Sequence, residues 1–164
     1  MKKINFNNKG VSPKIKDKQK LSQFFTSIFE NEKVEFESIS YIFCRDSFLL
    51  KLNQEYLNHD AYTDIITFTL SAKSTPIVSE IYISIERVLE NSASLKNTYR
   101  EELCRVMIHG ILHLCGFSDH SPEEKKVMRQ KEDFYLFQYR FTWNKFYAYF
   151  KLGKFDKCFQ NMML

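Results

Sequence analysis

At 164 residues, with 44% hydrophobic and 27% charged residues, the chain has the composition of one ordinary globular domain, long enough to bury a proper core. No run approaches the roughly twenty apolar residues of a membrane span, and the lysines of residues 1–6 have no apolar stretch behind them, so the start does not read as a secretory signal. The formal charge of +4 suits a polyanionic partner without demanding one, and the sixteen Phe and nine Tyr read as coding composition rather than as a stacking surface. Cys44, Cys104, Cys115 and Cys158 show no ribbon or redox spacing and are expected as free thiols of a cytoplasmic chain.

Residues up to 20 are lysine-rich and carry Gly10 and Pro13, which predicts an extended or loosely packed start. Leu21, Phe24, Phe25 and Ile28 have helical spacing over 21–30. A strand over 38–45 gives way at Asp46-Ser47 to a short helix with Phe48, Leu49, Leu52 and Tyr56 on one face. After a polar loop at 58–62, residues 63–70 and 80–84 are β-prone, with a turn at 71–76 between them. A helix is expected over 85–94. Thr98 and Glu101 form a capping box that opens a central helix with Leu103, Val106, Met107, Gly110, Ile111 and Leu114 on its apolar face. A second box, Ser121 with Glu124 and Pro122 at the first helical position, opens another helix. Phe137, Tyr139, Phe141 and Trp143 alternate with polar residues, which is a strand period. Strands mixed irregularly with helices indicate a single α+β or three-layer domain.

Three of the four histidines lie within 105–120. His109 and His113 are four apart and project from one helix face. Gly116 follows where a left-handed residue would end the helix. Asp119 and His120 come just after that turn, and either can return to the pair. Two imidazoles on a helix with a third ligand behind a glycine turn make an open three-ligand metal site, suited to zinc and also to other divalent ions. His59 is alone in its loop. In metalloproteases with this histidine spacing a glutamate base follows the first histidine. Here Gly110 stands in its place, which disfavours a peptidase and leaves a Lewis-acid site suited to phosphodiester hydrolysis. The absent side chain at Gly110 is expected to leave room for a bulky substrate.

The stretch His-Gly-Ile-Leu-His-Leu-Cys-Gly-Phe-Ser-Asp-His at 109–120 resembles the YbeY family of bacterial metal-dependent endoribonucleases and rRNA maturation factors. The blocks at 52–56, 62–68, 80–84 and 128–132 agree, and the resemblance runs over 36–136. It implies an α+β fold with a small mixed sheet packed by helices, and one zinc per chain held by three side chains on the central helix and the following turn. His109 and His113 would be the catalytic metal ligands. It further implies cleavage of single-stranded RNA, maturation of the small-subunit rRNA 3′ end, ribosome quality control, and ribosomal RNA with ribosome or small-subunit proteins as partners, away from membranes. On that footing residues 1–136 form the metallo-endoribonuclease domain and 137–164 an aromatic-rich extension of unassigned role.

Two positions depart from the family pattern. The family's third histidine is in register with Asp119, so Asp119 is the expected third ligand, and His120 is an alternative that needs a one-residue bulge. The family's arginine falls at Leu57, which cannot hold a phosphate, leaving His59 and Arg87 as substrate-binding candidates. The rival reading is a ribosome assembly factor whose metal is structural and closed by a fourth ligand. Cys115 is the nearest thiol, but two residues past His113 it should point elsewhere.

Overall fold

Strand β2 (Phe36–Cys44) is the spine on which the sheet is laid. The computed structural model describes residues 2–57 and 60–143. In chain order these form β1 (Lys3–Asn8), α1 (Lys18–Asn31), β2, α2 (Asp46–Leu57), β3 (Ile65–Thr69), β4 (Ile77–Ser84), α3 (Ile85–Ser94), α4 (Tyr99–Leu114) and α5 (Pro122–Trp143). The strand order is β1-β2-β4-β3. β2 pairs in parallel with β1 and with β4, and β3 runs antiparallel to β4. The domain is therefore α+β with a small mixed sheet, as expected.

Period-two alternation sorts the central strands by face. Ile39, Tyr41 and Phe43 of β2, with Ile81 and Ile83 of β4, join the main core beneath α1 and α4. On the opposite face Cys44, Ile66, Phe68 and Tyr82 meet Phe48, Leu49 and Leu52 of α2. The hydroxyl of buried Tyr41 donates to the Met107 carbonyl at 2.9 Å, tying the sheet to the middle of α4. Helix α4 is buried almost all round, with Leu103, Val106, Met107, Ile108, Ile111 and Leu112 all in the core.

The lysine-rich start is more ordered than its composition suggests. Residues 3–8 pair along β2 from Lys3 opposite Ser38 to Asn8 opposite Phe43, and half-buried Ile4 and Phe6 pack against the core. Helix α1 begins three residues before the predicted stretch because the Asp17 side chain caps it, accepting from Lys20 N. Asp46 does not cap α2. Its carboxylate turns instead to α3, accepting from Ser84 Oγ at 2.7 Å and Arg87 Nε at 2.6 Å.

The strand period at 137–143 is overturned, because those residues continue α5. Met128, Tyr135, Leu136 and Tyr139 repeat at helical spacing and are buried in the core, and that burial outweighs the alternation. Residues 144–164 lie outside the described residues.

The capping box of α4 forms as expected: Thr98 Oγ1 accepts from Glu101 N at 3.2 Å, and Thr98 N donates to Glu101 Oε2 at 3.2 Å. Thr98→Ala is expected to lower stability by about 1 kcal/mol. Thermal unfolding should show it as a drop of about 3 °C in Tm, and an unchanged Tm would mean the box contributes nothing.

Candidate metal centre

The end of α4 is built to hold two imidazoles still. Gly116 takes φ +94°, its N–H donates to the His113 carbonyl at 3.0 Å, and the Phe117 N–H donates to the Leu112 carbonyl at 3.0 Å. These two bonds with a left-handed residue are a Schellman ending. The turn also aims the Phe117 carbonyl at His113, whose Nδ1 donates to it at 3.0 Å. His109, one turn earlier, donates from Nδ1 to Glu132 Oε1 of α5 at 2.7 Å.

Those two partners determine the tautomers. A carbonyl and a carboxylate only accept, so both Nδ1 atoms carry the proton and both neutral rings present the Nε2 lone pair. The two Nε2 atoms are 2.8 Å apart, and Asp119 places Oδ2 3.9 Å from the Nε2 of His109 and Oδ1 3.9 Å from that of His113. Ligand atoms of all three residues lie within 4.8 Å of one another. Without an ion the two Nε2 atoms, at hydrogen-bond distance, can share a proton; with that proton gone, two imidazole lone pairs and a carboxylate oxygen converge, a donor set that fits a divalent metal ion. His109, His113 and Asp119 can therefore hold one.

The surrounding charge separates the two rings. Burial opposes a proton on His109, but the hydrogen bond and charge of Glu132, with Asp119 and Asp64, outweigh it and hold His109 above the usual imidazole range. Burial and the charge of His109 push His113 below that range. Asp64, on the loop before β3, is raised by burial against the pull of His109, and it accepts from Asn91 Nδ2 at 3.1 Å.

A cleft of about 370 Å³ opens beside the centre, lined among others by Asp64, Asn91, Leu95, Arg105, His109, Asp119, Arg129 and Glu132. His120 is not in the three-residue group: its side chain is exposed and its backbone N–H donates to Glu124 Oε2 at 3.0 Å, while its charge is among those that lower His113. The second capping box, in which Ser121 N also donates to Glu124 Oε2, holds that stretch. Arg87 bonds Asp46 and reaches Glu90 Oε2 at 2.8 Å, with its guanidinium over the Tyr62 ring, and is not among the residues lining the cleft. His59 lies outside the described residues.

Gly110 does not make room for substrate. A Cβ there would stand 2.9 Å from Ile65 Cδ1 and 3.1 Å and 3.2 Å from Ile81 Cγ2 and Cδ1. The missing side chain lets α4 press against the sheet, and the space is already filled by isoleucine.

Glu132 belongs to the 128–132 block, but nothing in its spacing gives it a role. Its side chain is 8% exposed and gathers three partners, with Oε1 on His109 and Oε2 on both Arg105 NH1 at 3.2 Å and Arg129 NH1 at 3.3 Å. One signal points this way: Glu102, Arg105, His109 and His113 follow helical spacing, a polar stripe on an otherwise buried helix. It marks the side of α4 that needs polar partners, but not which helix supplies them.

A mixed sheet backing a buried helix, with two oriented imidazoles and a carboxylate at the mouth of a cleft, defines an α+β protein built around a candidate divalent-metal centre. Residues 3–140 match the family Endoribonuclease YbeY. The chain belongs to that family. It is 45% identical over 130 residues to the endoribonuclease YbeY of Flavobacterium psychrophilum, covering 79% of this chain and 91% of that one. It is 41% identical over 143 residues to that of Porphyromonas gingivalis, covering 87% and 93%. With that of Christiangramia forsetii the identity is 51% over 104 residues, covering 63% and 72%. A solution structure from Thermotoga maritima superposes with a TM-score of 0.52 at 28% identity, covering 82% of this chain and 87% of that one. Among the described residues no helix is long and apolar enough to cross a membrane.

Proposed function

We propose that this chain is a zinc-dependent endoribonuclease that cuts single-stranded RNA in ribosomal RNA processing. Its work would be small-subunit rRNA 3′-end maturation and ribosome quality control, in the cytoplasm. The observation that carries the reading is the convergence of His109 Nε2, His113 Nε2 and an Asp119 oxygen beside an open cleft. The family supplies the direction, since relatives of similar length are named endoribonucleases.

His109, His113 and Asp119 would hold the ion, which when bound supplies a Lewis acid for phosphate oxygens and lowers the pKa of water. The protein's part is orientation. Glu132 and the Phe117 carbonyl keep both rings facing inward with their lone pairs exposed, so no rotation is needed for binding. Asp119 brings a negative charge that a third imidazole would not, which makes the bound ion a milder Lewis acid. The cleft gives an extended strand a place to lie against the centre. Only these three donors gather among the described residues, which favours an open site over the closed structural metal of an assembly factor.

The test pairs metal content with cleavage. Wild type and His120→Ala should each hold about one zinc per chain and cut single-stranded RNA, whereas Asp119→Ala and His113→Ala should lose both. Retention of zinc by Asp119→Ala with loss in His120→Ala would transfer the third position to His120. RNA cleavage undiminished in His113→Ala would remove the centre from the reaction, and zinc-loaded wild type that cuts no RNA would favour the assembly-factor reading.

A further inference from the structure

We infer that Arg129 holds a backbone phosphate of the RNA strand in the cleft, next to the His109, His113 and Asp119 group. The assignment rests on the ribonuclease reading and adds the residue that grips the substrate. The cations lining the cleft are Arg105 and Arg129, and they are held differently. Arg105 is 14% exposed, and its NH1 is shared between Glu132 Oε2 at 3.2 Å and Asp133 Oδ1 at 2.7 Å. It is part of the scaffold that joins α4 to α5.

Arg129 stands on the outer turn of α5 with its side chain 55% exposed, and its NH1 reaches Glu132 Oε2 at 3.3 Å. That oxygen already serves Arg105, and the other oxygen of Glu132 serves His109. One carboxylate thus faces two guanidiniums and an imidazole, so it neutralises Arg129 only in part. The result is an accessible guanidinium, steered by Glu132 toward the centre, with a planar fork of donors that matches phosphate oxygens. Across the cleft the α3 residues Asn91, Ser94 and half-exposed Leu95 carry no charge, and the carboxyl groups there, Asp64 accepting from Asn91 and buried Glu102, offer a phosphate no partner. A strand lying between would therefore set its phosphate toward α5 and its nucleoside toward α3.

The test measures steady-state cleavage of a single-stranded RNA, and its salt dependence, for zinc-loaded wild type, Arg129→Gln, Arg129→Lys and Lys73→Ala. The Lys73 variant removes an exposed cation outside the cleft lining and calibrates the effect of net charge. Arg129→Gln is expected to raise KM about tenfold with kcat within about threefold, the loss of one charge-assisted contact. The slope of log affinity against log salt should fall by about 0.7, as for one phosphate contact on a single strand. Arg129→Lys should keep the slope, and Lys73→Ala should match wild type. Zinc affinity, measured by chelator competition, should be the same in all four proteins. An active wild type with KM and salt slope unchanged in Arg129→Gln overturns the assignment alone. So does a variant that loses zinc affinity instead of raising KM, since Arg129 would then act only as a prop for Glu132. A wild type inert toward RNA overturns the ribonuclease reading, and the assignment with it.

Discussion

Glu132→Gln is expected to weaken metal binding by about 10- to 100-fold and to destabilise the metal-free protein by about 2–3 kcal/mol. Both effects come from one side chain that serves two structures. Toward the centre, Oε1 accepts from His109 Nδ1 at 2.7 Å and keeps the Nε2 lone pair directed at His113 and Asp119. An amide of the same shape offers one carbonyl oxygen and one NH2 group. If the oxygen stays with His109, the NH2 donor is forced against the guanidiniums of Arg105 and Arg129; if it turns to them, His109 faces a donor. Toward the scaffold, Arg105 is nearly buried and its Nε already lacks a hydrogen-bond partner among the described residues, so it tolerates further loss poorly. Asp133 keeps its 2.7 Å contact with Arg105, which holds the expected cost below the ~3–5 kcal/mol of an isolated broken pair. Metal affinity read by chelator competition separates the two roles from a urea titration of the metal-free protein. Lowered stability with unchanged metal affinity would reduce Glu132 to a helix–helix tie.

What could be seen in the sequence divides by the range of the interaction. The His109 and His113 pair, the glycine turn and both capping boxes depend on residues within one or two turns of each other, and their spacing states them. Spacing alone left Asp119 and His120 both open past the glycine turn; the register of the resembled family favoured Asp119, whose carboxylate gathers with the two imidazoles. Glu132 was not, since its contact with His109 spans 23 positions and exists only once α5 docks on α4. The edge strand at residues 3–8 was hidden for a related reason: β1 has a single partner, and Lys3 and its three asparagines are exposed while only Ile4 and Phe6 lean on the core. At 137–143 a local alternation coincided with a helical repeat that tertiary burial selects. The histidines of the candidate centre were thus visible in the sequence, while the polar scaffold behind them waited for the packing of two helices.

Gly110→Glu is expected to prevent stable folding, although it would restore the sequence pattern of a metalloprotease by placing a carboxylate after the first histidine. The first carbon of any side chain there meets Ile65 Cδ1 at 2.9 Å and two atoms of Ile81 at 3.1 Å and 3.2 Å, and Ile81 is fully buried. A glutamate would carry its charge into that apolar contact between α4 and the sheet, a penalty of several kcal/mol against a total domain stability of about 5–15 kcal/mol. Gly110→Ala separates size from charge. The methyl group crowds the sheet by about 1–3 kcal/mol, but the helix gains about 1 kcal/mol over glycine and the nearest atom is the movable end of Ile65. The alanine variant should therefore fold with Tm lowered by only a few degrees, while the glutamate variant should be recovered unfolded or aggregated. Thermal unfolding of the two proteins, with zinc content as a second readout, checks this. A folded Gly110→Glu protein with wild-type Tm would mean that α4 is not seated on Ile65 and Ile81. If it also cleaved peptide, glycine at this position would be what keeps the centre from proteolysis. The expected result gives Gly110 a structural part instead, letting the helix that carries both imidazoles seat closely on Ile65 and Ile81 of the sheet.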